Sequence, residues 1–397
     1  MSKLLHGIRV LDLSRTIAAP SAAQMLGDFG ADVIKLERPG SGDEGRAIGP
    51  TFLKDRAGRT TGEGSMYLVA NRNKRGVTVN LATAGGQELV RRLSAKSDVL
   101  IENYKAGDMD RFGLGYPRLK AINPRLIYCS VTGYGQTGPY AARPGYDPIF
   151  QAMGGWMSVN GPKDDRPLLV ASNPVDTISG YHAAMAILAA LFYRHESGEG
   201  QYIDIALLDV AISAYAHRAL DYLLTGVQPP RRGTRGQVYP CADGQLMIAL
   251  ANKGQWARFC EVLSREDLAS DPRYDNHAGR LKHAAELYPM LEAETRKQRL
   301  SDLSSKLEAA NIPFGPILGF PDLFADPQVI DRKMRVEVAH PLAEALPMVA
   351  NPVKFSATPV DSYRPPPLLG EHTTEVLGEV LGMSPEEIAS LRQEGAI

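Results

Sequence analysis

The 397-residue sequence predicts an α/β fold with a largely parallel sheet, together with a smaller α+β domain. Over residues 1–135, short apolar or β-branched runs alternate with segments whose apolar residues recur every three or four positions. This alternation is typical of βαβ units. From Val238 to about Pro316 the pattern changes to one strand followed by charged amphipathic helices. The chain also exceeds the usual size of one hydrophobic core, so two domains are expected.

The expected elements follow from this periodicity. Strands are predicted at Ile8–Leu13, Val33–Leu36, Val77–Leu81, Val99–Ile101, Leu126–Val131, Gln201–Leu207 and Gln245–Ala251. Helices are predicted at Ser21–Phe29, Gln87–Leu93, Thr177–His195, Val210–Leu224, Ala284–Glu294 and Leu300–Ala310. The helix at 177–195 is apolar almost all round and the one at 210–224 largely so, which predicts that both are buried. The last helix begins at Ser384 with a capping box.

Charge and hydropathy exclude several classes of protein. The chain has 44 basic and 45 acidic residues, a net charge of −1 and no basic run, so no nucleic-acid partner is expected. Basic residues cluster at Arg72–Arg75 and at Arg231–Arg235, which suits a phosphorylated small molecule or a solvated surface. The longest strongly apolar run, Ala183–Phe192, is too short to span a bilayer, and the N-terminus lacks a signal-peptide pattern. No membrane association is therefore expected.

Common metal, disulfide and nucleotide motifs are missing from the sequence. Cys129, Cys241 and Cys260 show no CxxC spacing, and their odd number argues against a disulfide framework. A reducing, cytoplasmic location is the expectation. The histidines form no zinc pattern. No GxGxxG follows the first strand, and there is no GxxxxGK[ST] loop or GxSxG elbow. We expect no tightly bound cofactor and no metal.

Asp176 stands where the long apolar helix should begin, after Asn173 and Pro174. An aspartate in this position often does no more than cap the helix. The helix dipole and free backbone amides also favour the ionised carboxylate there. An oriented, dehydrated carboxylate can attack a thioester and form a covalent intermediate. Residue pattern alone leaves capping and catalysis both open.

Seven stretches resemble the class III CoA-transferase family, which includes formyl-CoA transferase, the carnitine-CoA transferases and α-methylacyl-CoA racemase. They are Gly7–Ser14, Gly27–Gly40, Asn71–Arg75, Glu102–Tyr104, Thr132–Pro139, Gly145–Asp147 and Leu369–Thr373. The resemblance runs from residue 4 to the C-terminus in the expected order. It implies that Asp176 is the catalytic aspartate of the family.

The resemblance also implies an architecture. The large domain would be Rossmann-like and built from both chain ends, and two chains would interlink like rings in a homodimer. On that basis residues 1–200 form the N-terminal part of a CoA-binding domain, and 201–230 a linker strand and helix. Residues 231–316 form the small α+β domain, and 317–397 return to complete the large one.

The matching motifs further imply a site for the CoA substrate. Arg38 is expected against its adenine or phosphate end. The residues expected along the nucleotide and pantetheine path are Asn103, Tyr104, Lys105 and Arg111. Thr132, Gly133, Tyr134 and Gly135 would bring the backbone close to the thioester, where glycine removes a steric obstacle. The alternative is that Arg38 and Arg111 are ordinary surface arginines and that Gly133 and Gly135 only form a turn. Some relatives have a lysine at Ala82, so one phosphate contact is missing here.

The family contains two chemistries, CoA transfer and racemisation. Racemases need an acid/base pair. In the racemases a His precedes the Asp, at the position of Tyr146 before Asp147 here, and an acidic residue stands near the position of Gln237. A tyrosine is a poor base at neutral pH, since its usual pKa is about 10. Transfer between carboxylic acids is therefore the favoured function, and a 2-methylacyl-CoA racemase is the alternative.

Transfer would run through an aspartyl anhydride and an aspartyl-CoA thioester. The resemblance is closest to relatives that act on short dicarboxylates with succinyl-CoA as donor. The residues that could bind the second carboxylate of the dicarboxylic acid are Arg15, Arg46, Tyr146 and His182. Water must be kept from the anhydrides, so segments of the small domain around 233–236 or 252–254 are expected to cover the site. The glycine-rich closing loop of formyl-CoA transferase is not evident. A thioester hydrolase and a CoA-binding protein without catalysis remain open.

Overall fold

The computed structural model describes residues 3–161, 166–231 and 236–397. By internal contacts the chain forms two compact units, Met1–Pro230 with Lys333–Ile397, and Arg231–Arg332. The second unit extends past the predicted boundary at residue 316. The functional subdivision at residues 200, 230 and 316 remains a prediction.

The strands of the described residues lie in both units. They are β1 (Arg9–Asp12), β2 (Asp32–Glu37), β3 (Phe52–Lys54), β4 (Thr60–Gly64), β5 (Lys74–Thr78), β6 (Val99–Glu102), β7 (Ile127–Thr132), β8 (Tyr202–Ala206), β9 (Gly236–Pro240), β10 (Gln245–Ala249), β11 (Phe314–Pro316), β12 (Arg335–His340) and β13 (Ala343–Val349).

The helices of the described residues range from one turn to seven. They are α1 (Ala18–Asp28), α2 (Ser65–Leu68), α3 (Ala84–Ser94), α4 (Asp108–Arg111), α5 (Tyr116–Ile122), α6 (Asp147–Met153), α7 (Trp156–Val159), α8 (Pro174–Ser197), α9 (Leu207–Ala214), α10 (Ala216–Thr225), α11 (Lys253–Val262), α12 (Glu266–Ser270), α13 (His277–Lys282), α14 (Ala284–Thr295), α15 (Leu300–Ala309), α16 (Phe320–Ala325), α17 (Pro327–Asp331), α18 (Thr373–Leu381) and α19 (Pro385–Gln393), with 3-10 turns at Glu44–Ala47 and Pro272–Tyr274.

The first unit is organised around a parallel sheet in the order β5-β2-β1-β6-β7-β8. Every neighbouring pair in it is parallel, which confirms the predicted parallel sheet. Chain order reverses between β1 and β6, so the topological switch point lies there. In sheets of this kind, ligands bind outside the carboxyl ends of the strands at that point.

Strand β5 begins earlier than its apolar residues predicted. Lys74 and Arg75 are charged, yet both are buried in the strand. The Lys74 amine donates to the Asp12 carboxylate at 2.7 Å and to the Asn71 amide oxygen at 2.8 Å. Burial lowers the pKa of Lys74 to about 8. The Asp12 carboxylate, distant in sequence, therefore allows the charged Lys74 to lie buried in the sheet.

Two apolar cores cover the two faces of this sheet. One joins α1, α8 and α9 to the inward residues of the strands. The other includes residues from α3, α5, α18 and α19, so the C-terminal helices pack on the N-terminal part of the chain. Helix α19 has the predicted capping box, in which the Ser384 hydroxyl accepts from the Glu387 amide and the Glu387 carboxylate accepts from the Ser384 amide.

In the single chain, two helices are less buried than predicted. Only the small-residue face of α8 is buried, packed on α1, while Tyr181, Met185 and Phe192 are exposed. The helix predicted at 210–224 is two helices that meet at Tyr215, and α10 has no buried residue. With 24 residues, α8 is long and apolar enough to span a membrane by length and composition, unlike the run at 183–192. A core helix passes the same test.

The second unit has its own core beneath an antiparallel sheet in the order β11-β10-β9. Helices α11, α14 and α15 pack on that sheet through Trp256, Phe259, Leu291 and Leu303. Within its described residues, the second unit therefore combines an antiparallel sheet with helices.

Candidate active site

The N-terminus of α8 is capped from another helix. Asn173 occupies the N-cap position in a left-handed conformation, with φ of 52°, and its side chain makes no cap hydrogen bond. Instead the Asp147 carboxylate on α6 accepts from the amide of Val175 at 2.6 Å and from that of Asp176 at 3.0 Å. The capping role that the sequence left open for Asp176 therefore belongs to Asp147.

The carboxylate of Asp176 is thus left free of any capping role. It is half-buried, and its Oδ2 accepts from the Asn173 side-chain amide at 3.3 Å. Burial, followed by the negative charge of Asp147, raises the pKa of Asp176 to about 7. The sequence suggested that the helix terminus favours the ionised form, but Asp147 already occupies the amides of Val175 and Asp176. The result is a poorly solvated, basic carboxylate suited to nucleophilic attack.

Asp147 is itself held in place by a short hydrogen-bonded chain. It is buried, and the Gln151 side-chain amide donates to its Oδ1 at 2.5 Å and to the Val170 carbonyl at 2.9 Å. The Val170 amide donates back to Gln151 at 2.8 Å. Asp147 ends the Gly145–Asp147 motif, and no role for it was predicted from the sequence. Its motif was the one available signal, since its contacts span about thirty residues of chain.

Helix α8 begins at the carboxyl edge of the sheet, because it connects the parallel strands β7 and β8. One turn after Asp176 it passes very close to α1. A Cβ on Gly180 would lie 2.5 Å from the Ala18 carbonyl oxygen, so only glycine fits. This contact brings the first turns of α8 against the start of α1, which follows the loop at residues 13–17.

A cavity of about 740 Å³ opens at the same edge of the sheet, beside the switch point. Its wall is formed by the segments that follow β1, β2, β5 and β6. Among the predicted CoA residues it includes Arg38 and Tyr104, and among the predicted substrate residues Arg15. Ala82, where some relatives were expected to have a lysine, also lines it. The volume is that of a site for a drug-sized ligand.

Asn103 fixes the part of this wall that carries Arg15. Its side chain accepts from the Arg15 amide at 2.9 Å and donates to the Arg15 carbonyl at 2.8 Å. The Arg15 guanidinium lies 4.8 Å from the centre of the Tyr104 ring and pairs with Glu44 at 2.8 Å. Asn103 therefore positions the wall rather than lining it. Lys105 and Arg111 are exposed, and Arg111 lies over Phe112, another wall residue.

The segment Thr132–Gly135 follows β7. The Thr132 hydroxyl is buried without a partner among the described residues. A Cβ on Gly133 would lie 2.6 Å from the Phe150 ring, and Gly135 has φ of +83°. Close packing at Gly133 and the positive φ of Gly135 therefore account for glycine at both positions. The Tyr134 hydroxyl lies 3.3 Å from the Met153 sulfur. Closeness of this backbone to a thioester remains a prediction.

Arg46 does not fit its predicted substrate role. Its guanidinium is buried and donates to Glu37, Glu63 and the Pro367 carbonyl, at distances from 2.7 to 3.0 Å. No donor is left for a substrate carboxylate. Tyr146 is 78% exposed, and His182 bonds through Nδ1 to the Ile178 carbonyl at 2.9 Å. Their substrate roles remain predictions.

Of the predicted covering segments, the one at residues 252–254 lies in the second unit. Residues 233–235 fall outside the described part of the chain. Asn252 caps α11 through the Gln255 amide, and Gln237 lies in β9. Within residues 3–161, 166–231 and 236–397, no group of His, Cys, Asp and Glu side chains forms a metal site.

Comparison with known proteins places these features in context. The family model described as CoA-transferase family III matches residues 5–373. A succinate–glutarate CoA-transferase of Agrobacterium fabrum is 42% identical over 382 residues, which cover 95% of each chain. The succinyl-CoA:glutarate CoA-transferase of Homo sapiens is 35% identical, covering 100% of this chain and 90% of its own. A CaiB/BaiF family protein from Brucella suis superposes with a TM-score of 0.86 and 39% identity, covering 96% of this chain and 100% of that one.

Proposed function

The chain belongs to CoA-transferase family III and is an enzyme of that kind; on this premise we propose that it moves CoA from succinyl-CoA to a short dicarboxylic acid, with Asp176 as the covalent nucleophile. The two curated relatives described above are both named for succinate or succinyl-CoA and glutarate. Glutarate, or an acid of similar length, is the acceptor that this similarity favours.

One observation carries the role of Asp176. Asp147 caps the helix, so the Asp176 carboxylate does not, and that carboxylate is poorly solvated. Among the described residues its carboxylate accepts only from the Asn173 side chain, so no helix amide depends on it. The helix that carries Asp176 also begins at the carboxyl edge of the sheet, where ligands of this fold bind.

The transfer has four covalent steps. The ionised Asp176 oxygen attacks the succinyl-CoA carbonyl, forming a mixed anhydride and releasing the CoA thiolate. The thiolate attacks the aspartyl carbonyl, which yields aspartyl-CoA and free succinate. The acceptor carboxylate then attacks this thioester, giving a second anhydride and thiolate. Finally the thiolate attacks the acceptor's carbonyl, which releases the new acyl-CoA and the ionised Asp176.

The nucleotide end of CoA occupies the cavity at the switch point. Arg15 and Arg38 supply positive charge for its phosphates, and Tyr104 offers an aromatic wall. The loop at residues 13–17 leads from this cavity to α1, on which α8 packs. The pantetheine arm follows this loop toward Asp176.

The working enzyme is a homodimer in this proposal. The exposed faces of α8 and α10 carry large apolar side chains of a kind that monomers seldom leave in contact with water. They are Tyr181, Met185, Phe192, Tyr193, Leu220, Tyr222, Leu223 and Leu224. Sedimentation of the purified protein is expected to give the mass of two 397-residue chains, and a monomer would contradict the assignment.

The three free cysteines of the protein are buried, which fits the cytoplasmic location that we propose.

A substrate panel tests the function directly. The enzyme is incubated with succinyl-CoA and, one at a time, glutarate, malate, oxalate and acetate, and the CoA esters are separated by chromatography. Glutaryl-CoA is expected to form fastest, with succinate in equal amount. Loss of succinyl-CoA without an acceptor would instead indicate a hydrolase. Deuterium uptake at C2 of a 2-methylacyl-CoA in deuterated water would indicate a racemase.

Ala82→Lys is expected to strengthen CoA binding. The new ammonium group would enter the wall of the cavity, where phosphate charge is available, and lower the KM for succinyl-CoA by roughly threefold to tenfold. Ala84→Lys is the matched control, since it adds the same charge two residues away at an exposed position at the start of α3. Equal effects of the two substitutions would place the phosphates elsewhere.

A further inference from the structure

Glu102 is a buried acid that the transfer chemistry does not use. It ends β6, at the switch point of the sheet, and is 2% exposed. Its Oε2 accepts from the Tyr104 amide at 2.8 Å, and its Oε1 is bonded to the Ser130 hydroxyl. The Tyr202 hydroxyl donates to Ser130 at 3.0 Å, and Tyr202 is half-buried. A hydrogen-bonded chain therefore links this carboxyl group to a partly exposed phenol.

The surroundings of Glu102 disfavour its charge. Burial raises the pKa of Glu102 to about 7, although the bonds from Ser130 and Tyr104 oppose the shift. Two acids, Asp204 on β8 and Asp108 on α4, add to it. The neighbouring groups Tyr128, Tyr202 and Cys129 all have pKa values raised by burial, so they stay protonated near neutral pH.

The residues next to Glu102 form the wall of the cavity. Tyr104, whose amide Glu102 holds, lines it directly. Asn103 clamps the backbone of Arg15, which lines it as well. When protonated, the carboxyl group can donate to Ser130 and still accept from Tyr104. Protonation therefore changes the charge behind this wall while both hydrogen bonds persist.

We propose that Glu102 is a proton-sensitive positioning residue for CoA, which holds the Tyr104 wall in either state and admits the phosphate-bearing ligand more readily when it is neutral. Ionisation places a buried negative charge behind a wall that faces a multiply charged anion, and such charges are weakly screened. The proposal rests on the proposed function, because it assumes that CoA occupies this cavity.

Calorimetric titration with CoA from pH 5.5 to 8.5 tests the proposal. An Asp176→Asn background removes one further group whose pKa lies in this range, and Lys74, with a pKa of about 8, is common to every protein compared. We expect CoA to bind roughly threefold to tenfold more weakly at pH 8.5 than at pH 5.5, beyond the ligand's own titration. Glu102→Gln should remove that difference, because glutamine keeps both hydrogen bonds without charge. The acidic-pH affinity should be retained.

Tyr202→Phe provides a second, independent variant. It removes the donor to Ser130, which weakens the stabilisation of ionised Glu102, so the inflection should move to higher pH. A folded Glu102→Gln protein with an unchanged pH profile, or with weaker binding at every pH, would overturn the proposal. Absence of CoA binding in the background protein at every pH would instead overturn the proposed CoA site.

Discussion

Asp176→Asn is expected to lower the rate of CoA transfer by about 10³-fold or more, since an amide cannot form the anhydride. The substitution preserves local structure, because Asp147 rather than Asp176 caps α8 and the asparagine oxygen can still accept from Asn173. Chromatography of the CoA esters measures the rate. Hydroxylamine trapping after incubation with succinyl-CoA should label Asp176 in the parent enzyme and leave the variant unlabelled.

Asp209→Asn is the matched control for this experiment. Asp209 is the third residue of α9, as Asp176 is the third residue of α8, and it is exposed. The control removes one negative charge from an equivalent helical position without touching the site. Full transfer activity in Asp176→Asn, with the control also active, would remove the nucleophile assignment and leave Asp176 a structural residue.

Asp176→Asn, which is expected to abolish most activity, is also expected to stabilise the folded protein. The pKa of Asp176 is raised from 3.8 to about 7 on folding, so ionised Asp176 destabilises the folded protein. This penalty is absent below the unfolded pKa, grows as pH rises above it and is complete above pH 7. At pH 8 the free energy of unfolding of Asp176→Asn should therefore exceed that of the parent by about 1–3 kcal/mol, and its unfolding temperature should be higher. At pH 4 the gain should be small. Thermal unfolding at both pH values measures the difference, and Asp209→Asn should show no such pH-dependent gain.

Local pattern located most of the parallel sheet and the helix that presents Asp176, because the apolar residues of those elements are buried where the period places them. It failed where distant partners decide the outcome. Lys74 enters a buried strand because Asp12 neutralises it, and Arg46 is excluded from substrate binding because Glu37 and Glu63 take its donors. No local rule predicts such pairings.

The site shows the same division. Family resemblance identified Asp176, but the sequence could not show that another carboxylate caps its helix. Asp147 and Asp176 are 29 residues apart in the sequence, and only folding brings Asp147 onto the amides of Val175 and Asp176. The pKa of the proposed nucleophile depends on burial and, second, on that long-range contact, and neither can be read from the helix terminus alone.

Asp147→Asn is expected to move the pH dependence of transfer. In the parent enzyme the maximal rate should fall as pH drops through about 7, where Asp176 takes up a proton. Removing the Asp147 charge lowers the pKa of Asp176, so the fall should move to lower pH. It should not return to the ordinary aspartate range, because burial is the larger cause of the raised pKa and remains. Rates at saturating substrate between pH 4.5 and 8.5 measure the shift.

The variant should also be slower and less stable. The introduced asparagine can direct its oxygen to the amides of α8, but its amide nitrogen then faces the Gln151 donor, so one hydrogen bond is lost. We expect about 1–2 kcal/mol less stability and a roughly tenfold lower rate at pH 8, as the nucleophile becomes less basic and less well placed. Asp326→Asn is the control, because Asp326 also accepts two helix amides, those of Gln328 and Val329, within the second unit. A pH profile unchanged by Asp147→Asn but shifted by Asp326→Asn would mean that general charge, and not contact with Asp147, sets the ionisation of the nucleophile.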